Sequence, residues 1–208
     1  MKEIEELQEE LKKKQLNQHF IFNTLNTIKC NAIIDTRNAC RLIDDFSKYL
    51  RYNFNVLEQQ EAISFREEIE QARVYLEIEM ARFAQIQSEY FLEEENFFLP
   101  PMTIQPLVED AVNYGLCRKD KGGTLSIKSF RKEEDYVIEI HDTGVGMETV
   151  FLEEAHVKED YERLQTIEGV RRCLKHFVSG SVEVETVPEE GTQITIRIPA
   201  KQARNRDY

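Results

Sequence analysis

Apolar residues recur every three or four positions through the first quarter of the chain, and the spacing then changes. From Met1 to Ala32 one heptad seam passes through Ile4, Leu7, Leu11, Lys14, Gln18, Ile21, Leu25, Ile28 and Ala32, and seven of these nine are apolar. That period predicts a long helix with a stripe suited to a helical partner. Asp35-Thr36-Arg37-Asn38 reads as a short turn with Asp35 or Thr36 as N-cap. A second helix follows, with Ala39, Ile43, Phe46 and Leu50 on one face. Helices joined so closely are expected to pack antiparallel. A two-helix hairpin is too thin to cover its own seam, so a second copy is expected to complete a four-helix bundle.

Beyond this hairpin the pattern alternates between helix and strand. Asn53 to Ala62 is polar and reads as a connector. Ser64-Phe65-Arg66-Glu67 has the form of a capping box. It opens a helix to about Phe83, with Ile69, Ala72 or Tyr75, Leu76, Met80 and Phe83 facing inward. Gln87 to Glu93 alternates like a strand, Pro100-Pro101 breaks the chain, and Ile104 to Leu116 reads as a helix. Thr124–Lys132 and Tyr136–His141 form one strand pair around Glu133-Glu134-Asp135. Ser181–Val187 and Gln193–Ile198 form another around Pro188-Glu189-Glu190-Gly191. Between the pairs lie Gly144-Val145-Gly146, an acidic stretch, and a helix near Val170 to Phe177. This order predicts an α+β chain, a helix layer on a mixed sheet. The expected units are a helical hairpin over 1–62, an α/β sandwich over 63–200, and a tail over 201–208.

Composition narrows the partners. The formal net charge is −12, from 39 acidic and 27 basic residues. Nucleic acid is excluded as the main partner, because displacing phosphate counterions takes a basic face. No apolar run approaches the ~20 residues of a membrane span. Cytoplasmic localisation is expected, with any membrane attachment through a region outside this chain. The four cysteines, Cys30, Cys40, Cys117 and Cys173, form no CxxC pair, so buried free thiols are expected rather than disulfides or zinc.

Three segments carry candidate chemistry. His19 lies one residue after a seam position and points away from the helix interface. An exposed imidazole that keeps an unprotonated nitrogen near neutral pH can act as a nucleophile; a lone helical histidine can also be an ordinary surface residue. Asp142-Thr143-Gly144-Val145-Gly146 follows a strand. Its carboxylate can accept a hydrogen bond from an exocyclic amine while the glycines admit a planar ring, and a plain β-turn has the same form. Glu109, Asp110 and Asn113 lie on adjacent flanks of one helix, where oxygen ligands could hold Mg²⁺ or simply face water.

Taken in order, these segments resemble the LytS-type sensor histidine kinases, whose ATP-binding domain is of the GHKL (Bergerat) class. Gln15-Leu16-Asn17-Gln18-His19-Phe20-Ile21-Phe22-Asn23 looks like that family's phosphoacceptor block. Ile104-Gln105-Pro106-Leu107-Val108-Glu109-Asp110-Ala111 looks like its N box, and Asp142 to Met147 like its adenine motif. Gly191-Thr192 with Ile194, Ile196, Ile198 and Pro199 resembles its closing hairpin, and Tyr75-Leu76-Glu77-Ile78-Glu79 with Arg82-Phe83 a further family helix. The likeness runs from about Leu11 to Pro199. It implies His19 as phosphoacceptor and Asp142 as the reader of adenine. Gly144, Gly146, Gly191 and Thr192 would lie around the base, with Asp110 and Asn113 toward Mg²⁺ and the phosphates. Arg171 is a further cation within reach of phosphate, and Glu109 a candidate base. The implied ligands are ATP and Mg²⁺. The implied partners are a second copy, through the N-terminal helices, and a response-regulator receiver domain.

The chain departs from the family pattern at several points. Gln18 replaces the proline before the histidine, which leaves the helix straighter. Asp110 replaces a metal-binding asparagine, and Asn113-Tyr114-Gly115 replaces Lys-His-Gly. Like charges ~4 Å apart cost on the order of 4 kcal/mol at an effective dielectric of 20 before a metal screens them. No glycine occurs between Gly146 and Gly169, where the ATP lid is expected, and the stretch carries Glu148, Glu153, Glu154, Glu159, Asp160, Glu162 and Glu168. Two readings follow. One is a homodimeric, ATP-dependent histidine autokinase; the other is a kinase-derived dimeric signalling scaffold with weak or absent nucleotide binding.

Overall fold

The computed structural model describes residues 18–56 and 62–203. The seam positions from Ile4 to Lys14, the start of the phosphoacceptor block and the tail beyond 203 lie outside the described residues. The hairpin consists of α1 (Gln18–Ile34) and α2 (Thr36–Val56). Asp35 caps the second helix: its Oδ1 accepts from the N–H groups of Arg37 and Asn38, each at 3.1 Å. Asn38 Nδ2 then donates to Asn31 Oδ1 at 2.8 Å, tying the two helices at their junction.

Two details of the hairpin differ from the sequence expectation. The buried face of α2 runs through Ala39, Leu42, Phe46 and Tyr49, not through Ile43, which is 49% exposed. Both stripes have helical spacing, and packing against the rest of the chain selects one of them. The expected connector from Asn53 is also still helix as far as Val56. Its first residue, Asn53, and the neighbouring Tyr52 are buried hydrogen-bonding groups rather than part of a solvated linker. Asn53 donates to the Tyr49 carbonyl at 2.8 Å and accepts from Gln105 Nε2 at 3.3 Å, and Tyr52 donates to Glu68 at 2.7 Å.

After the short strand β1 (Ile63–Ser64), Ser64 caps the start of α3 (Phe65–Arg82) by accepting from the Glu67 N–H, the serine half of the expected capping box. The strand β2 (Ile86–Leu92) and the short β3 (Phe98–Leu99) lead to α4 (Gln105–Asp110). This helix continues without a break through a π-helical turn, Ala111–Gly115, and a 3₁₀ turn, Leu116–Arg118. The long hairpin β4 (Gly123–Lys132) and β5 (Asp135–Asp142) comes next. It is followed by α5 (Lys158–Val178) and the closing pair β6 (Ser181–Val187) and β7 (Gly191–Pro199). Both expected strand pairs are present. The main sheet has the order β2-β4-β5-β7-β6, antiparallel except where β2 runs parallel to β4. β1 and β3 pair separately.

α5 begins at Lys158, well before the helix expected near Val170. Two of the acids that read as a solvated lid, Glu159 and Asp160, occupy its first turn, where negative charge suits the exposed N–H groups and the helix dipole. One apolar core runs from Phe20, Leu42, Phe46 and Tyr49 of the hairpin through α3, α4 and α5 to Ile138, Ile140, Ile194 and Ile196 of the sheet. The Phe20 ring lies 4.7 Å from Tyr49 and 5.2 Å from Tyr75. The inner face of the hairpin is therefore covered by its own chain. Phe22, Leu25, Ile33, Ile34 and Ile43 remain on the outside. Cys30 and Cys40 are also exposed, contrary to the expectation of buried thiols, because they fall on the outer faces of the hairpin; Cys117 and Cys173 are partly buried. Among the described residues, no helix is long and apolar enough to cross a membrane.

Glu68 is fully buried and receives four donors. Its Oε1 accepts from Tyr52 OH and the Met102 N–H, each at 2.7 Å, and its Oε2 from the N–H groups of Ile104 at 2.8 Å and Gln105 at 3.4 Å. Burial raises its pKa, and these bonds oppose the shift. Glu68→Ala would strand four buried donors and is expected to cost about 3 kcal/mol or more. Urea unfolding measures this, and a loss below about 1 kcal/mol would mean water replaces the carboxylate. Glu68→Gln, which keeps one acceptor oxygen, should cost less.

Candidate functional site

The last residue of β5, Asp142, is 2% exposed and is walled by glycines. Its Oδ1 accepts from the Gly144 N–H at 2.9 Å. A side chain on Gly115 would place Cβ 2.8 Å from the same oxygen, and one on Gly144 would collide with the Gly115 backbone. Gly191, at φ +125°, lies against the Asp142 carbonyl, where no Cβ fits and where an L side chain would be strained. Across the sheet Asp142 is paired with Thr192, whose Oγ1 lies 3.0 Å from Thr186 Oγ1. Thr186 Oγ1 in turn accepts from the Met147 N–H at 2.8 Å. Gly146 turns the chain at φ +68° beside Val187. Lys119 Nζ donates to the carbonyls of Thr143, Gly144 and Glu189, binding the two loops together. Asp142, Gly144, Gly146, Gly191 and Thr192 are thus gathered in one place.

A residue not anticipated from the sequence completes this cluster. Arg163 of α5 places Nη2 2.9 Å from Asp142 Oδ2, and both side chains are 2% exposed. Burial pushes the Asp142 carboxyl upward in pKa, against the pull of Arg163 and the Gly144 N–H. Arg163 Nη1 is buried with no hydrogen-bond partner among the described residues. Further contacts come from the same two turns of α5. Glu162 accepts from Tyr114 OH at 2.6 Å, Glu159 pairs with Arg118 at 2.8 Å, and Asp160 accepts from the Glu148 N–H at 3.0 Å. The signal was present in the spacing: stepping back from Val170 through Ile167 puts Arg163 and Asp160 at inward positions on the helix.

The other candidates lie at the far end of α4 and on the hairpin. Glu109 Oε1 accepts from Gln105 Nε2 at 2.7 Å and Tyr49 OH at 3.3 Å. Burial, aided by neighbouring Asp110, pushes its carboxyl up to about 7. Asp110 is half-buried and Asn113 is exposed. His19 is exposed near the start of α1, with Asn23 Nδ2 3.0 Å from its Nδ1 and 3.2 Å from its Nε2. The next residue, Phe20, packs on Tyr49, so the His19 helix reaches Glu109 through one aromatic contact and one hydrogen bond. Arg171 is not part of the Asp142 cluster. It pairs with Glu168 at 2.6 Å and donates to the Val182 carbonyl at 3.3 Å. Arg163 is the cation that α5 directs to Asp142.

Comparison with known proteins gives the family of the chain. A histidine kinase family model matches residues 7–86. A model of histidine kinase-, DNA gyrase B- and HSP90-like ATPases matches residues 102–202. The protein YwpD of Bacillus subtilis is 31% identical over 187 residues, covering 88% of this chain and 67% of its own. The sensor histidine kinase YpdA of Escherichia coli is 31% identical over 187 residues, with 89% and 33% covered. The sensor protein LytS of Bacillus anthracis is 28% identical over 195 residues, with 90% and 33% covered. The chain therefore spans only about a third of the length of these two sensor proteins. Among solved structures, the nucleotide-free catalytic domain of histidine kinase ThkA superposes with a TM-score of 0.52 at 15% identity, over 68% of this chain and 97% of that one. The Acinetobacter baumannii histidine kinase AdeS gives 0.50 at 18% identity, over 88% and 96%. At these identities the likeness shows the fold alone. Together, the family models and the sequence relatives establish that the chain belongs to the LytS-type histidine kinases, with an ATP-binding domain of the GHKL class.

Proposed function

We propose that this chain is the kinase core of a two-component sensor, transferring the γ-phosphoryl of ATP to His19 and then to an aspartate of a receiver domain. The observation that carries this reading is the contact path from His19 through Phe20 and Tyr49 to Glu109, beside Asp110. It joins an exposed imidazole to the helix expected to face the phosphates. Asp142 accepts from the adenine amine, with Gly144, Gly146, Gly191 and Thr192 around the ring. The fit is one of donor to acceptor: an amine can take the place beside Asp142 that the Arg163 guanidinium holds. Asp110 suits Mg²⁺, which is usually held by one or two carboxylates together with substrate phosphates. The ion supplies charge neutralisation on the phosphates, and the protein chiefly positions reactants. In the transfer an imidazole nitrogen bonds to phosphorus, the bond to the ADP oxygen breaks, and the imidazole loses a proton. Glu109, titrating near 7, has the proton affinity expected of a general base at neutral pH. The exposed apolar residues Phe22, Leu25, Ile33, Ile34 and Ile43 support dimerisation through the hairpin.

A second reading, a dimeric signalling scaffold with weak nucleotide binding, draws on one observation: the Asp142 carboxylate is already engaged by Arg163. Calorimetric titration with Mg·ADP separates the two, since micromolar affinity counts against the scaffold and no binding sinks the kinase.

Incubation with γ-³²P-ATP is expected to label the full chain and to leave His19→Gln unlabelled; persistent labelling of the variant would reject His19 as acceptor. Glu109 has a separate pH signature. Its folded pKa of about 7 lies above the ordinary 4.5, so between these values the folded chain keeps a proton that the unfolded chain has lost. The resulting stabilisation is full below about pH 4.5 and is lost as pH rises through 7. Urea midpoints measured across that window should fall less steeply for Glu109→Gln than for the parent, and parallel profiles would remove Glu109 from this role.

A further inference from the structure

The first two turns of α5 reach the Asp142 region by four polar contacts from four closely spaced residues. Glu159 holds Arg118, Asp160 holds the Glu148 amide, Glu162 holds Tyr114, and Arg163 holds Asp142 itself. This segment occupies the stretch where the sequence suggests a loose acidic lid. We propose that it is a latch, in which Arg163 competes internally with the nucleotide base for Asp142 and must withdraw before the base can bind. The proposal rests on the reading of Asp142 as the adenine acceptor.

Access, rather than hydrogen-bonding capacity, makes the competition exclusive. A carboxylate has about four lone-pair directions, and the Gly144 N–H and Arg163 use two of them. The remaining ones cannot be approached, because Asp142 is 2% exposed, with Gly115 and Gly144 packed closely around one oxygen and Arg163 on the other. An amine donor needs to come within about 3 Å of an oxygen. In this arrangement the volume it would enter is closed.

The latch is also built to release. Arg118 and Glu159 are 49% and 33% exposed, so their pairing is screened by solvent and holds weakly. Arg163 is buried with one terminal nitrogen lacking a hydrogen-bond partner among the described residues, so its buried state is incompletely compensated. Withdrawal gives that nitrogen access to water or to a ligand's oxygens, while the base amine takes over at Asp142. The chain's acidic lid then has a purpose that a phosphate-binding loop would not: its carboxylates fasten the helix to Tyr114, Arg118 and the Glu148 amide beside the site.

Calorimetry with Mg·ADP on the full chain tests this, comparing the parent with Arg163→Ala and Tyr114→Phe. Arg163→Ala opens the site and lets water solvate Asp142, and its affinity should rise at least tenfold. Tyr114→Phe removes only the Glu162 contact and should bind several-fold tighter. In the parent, saturating Mg·ADP should speed hydrogen exchange at the amides of 158–166. If the parent binds Mg·ADP but both variants bind equally or more weakly, the latch is overturned while the nucleotide reading stands. If neither the parent nor any folded variant binds, the nucleotide reading fails and the latch fails with it. Should Arg163→Ala fail to fold, Tyr114→Phe and the exchange of the parent decide; slower exchange at 158–166 with nucleotide would overturn the latch.

Discussion

A single buried carboxylate sets the geometry on which the candidate site depends. Glu68, on α3, accepts from Tyr52 of α2 and from three backbone amides at the entry to α4. The start of α4 bears no side-chain cap of its own, and Pro106 in its first turn supplies no N–H. Glu68 thus performs from a neighbouring helix the service that an N-cap residue performs locally. It also fixes the bearing of α4, and every later feature inherits that bearing. Glu109 meets Tyr49 on one side of the helix, and the π-helical turn then carries Tyr114 toward Glu162 and Gly115 against Asp142. A π turn adds a residue to the helical repeat and so changes which side chains face a given neighbour, a device often found at functional sites.

Much of this was legible in the sequence. The two strand pairs and the caps at Ser64 and Asp35 follow from local chemistry, and local chemistry decided them. The stripe on α2 was ambiguous, because Leu42 and Ile43 both satisfy helical spacing and only packing into the common core distinguishes them. Asn53 was misread for a different reason. A polar residue near a helix end resembles a linker unless its partner is known, and here the partner is Gln105, 52 positions away. Asp142, Gly144, Gly146, Gly191 and Thr192 were found because they lie in turns whose glycines have a local signature. Arg163 has no such signature; its role is defined by a carboxylate 21 residues earlier in the chain.

The acidic character of the chain also takes on a more particular meaning. With a net charge of −12, the excess carboxylates suggested a surface hostile to a triphosphate. Several are instead committed to specific donors: Glu168 to Arg171 and Arg172, Glu159 to Arg118, Glu162 to Tyr114, and Glu79 to Arg82. A carboxylate paired with a cation contributes little to the field at distances well beyond the pair's own separation, and the net charge, which already counts those cations, does not show where the excess lies. Net charge is thus a poor guide to the potential around Asp142.

Two deeply buried acids, Glu68 and Asp142, show how similar groups can serve opposite ends. Both are raised in pKa by desolvation. Glu68 meets four donors that are parts of the fold itself, three of them backbone amides, so nothing short of unfolding replaces them. Asp142 meets one backbone amide from its own turn and one guanidinium on a long side chain, and that guanidinium is itself under-bonded. A buried carboxylate satisfied by backbone is fixed. One satisfied by a mobile side chain is exchangeable, because another donor of similar geometry can take the place at modest cost. On this criterion Glu68 is fixed in place and Asp142 is the acid whose donor can be exchanged, a distinction that burial alone does not make.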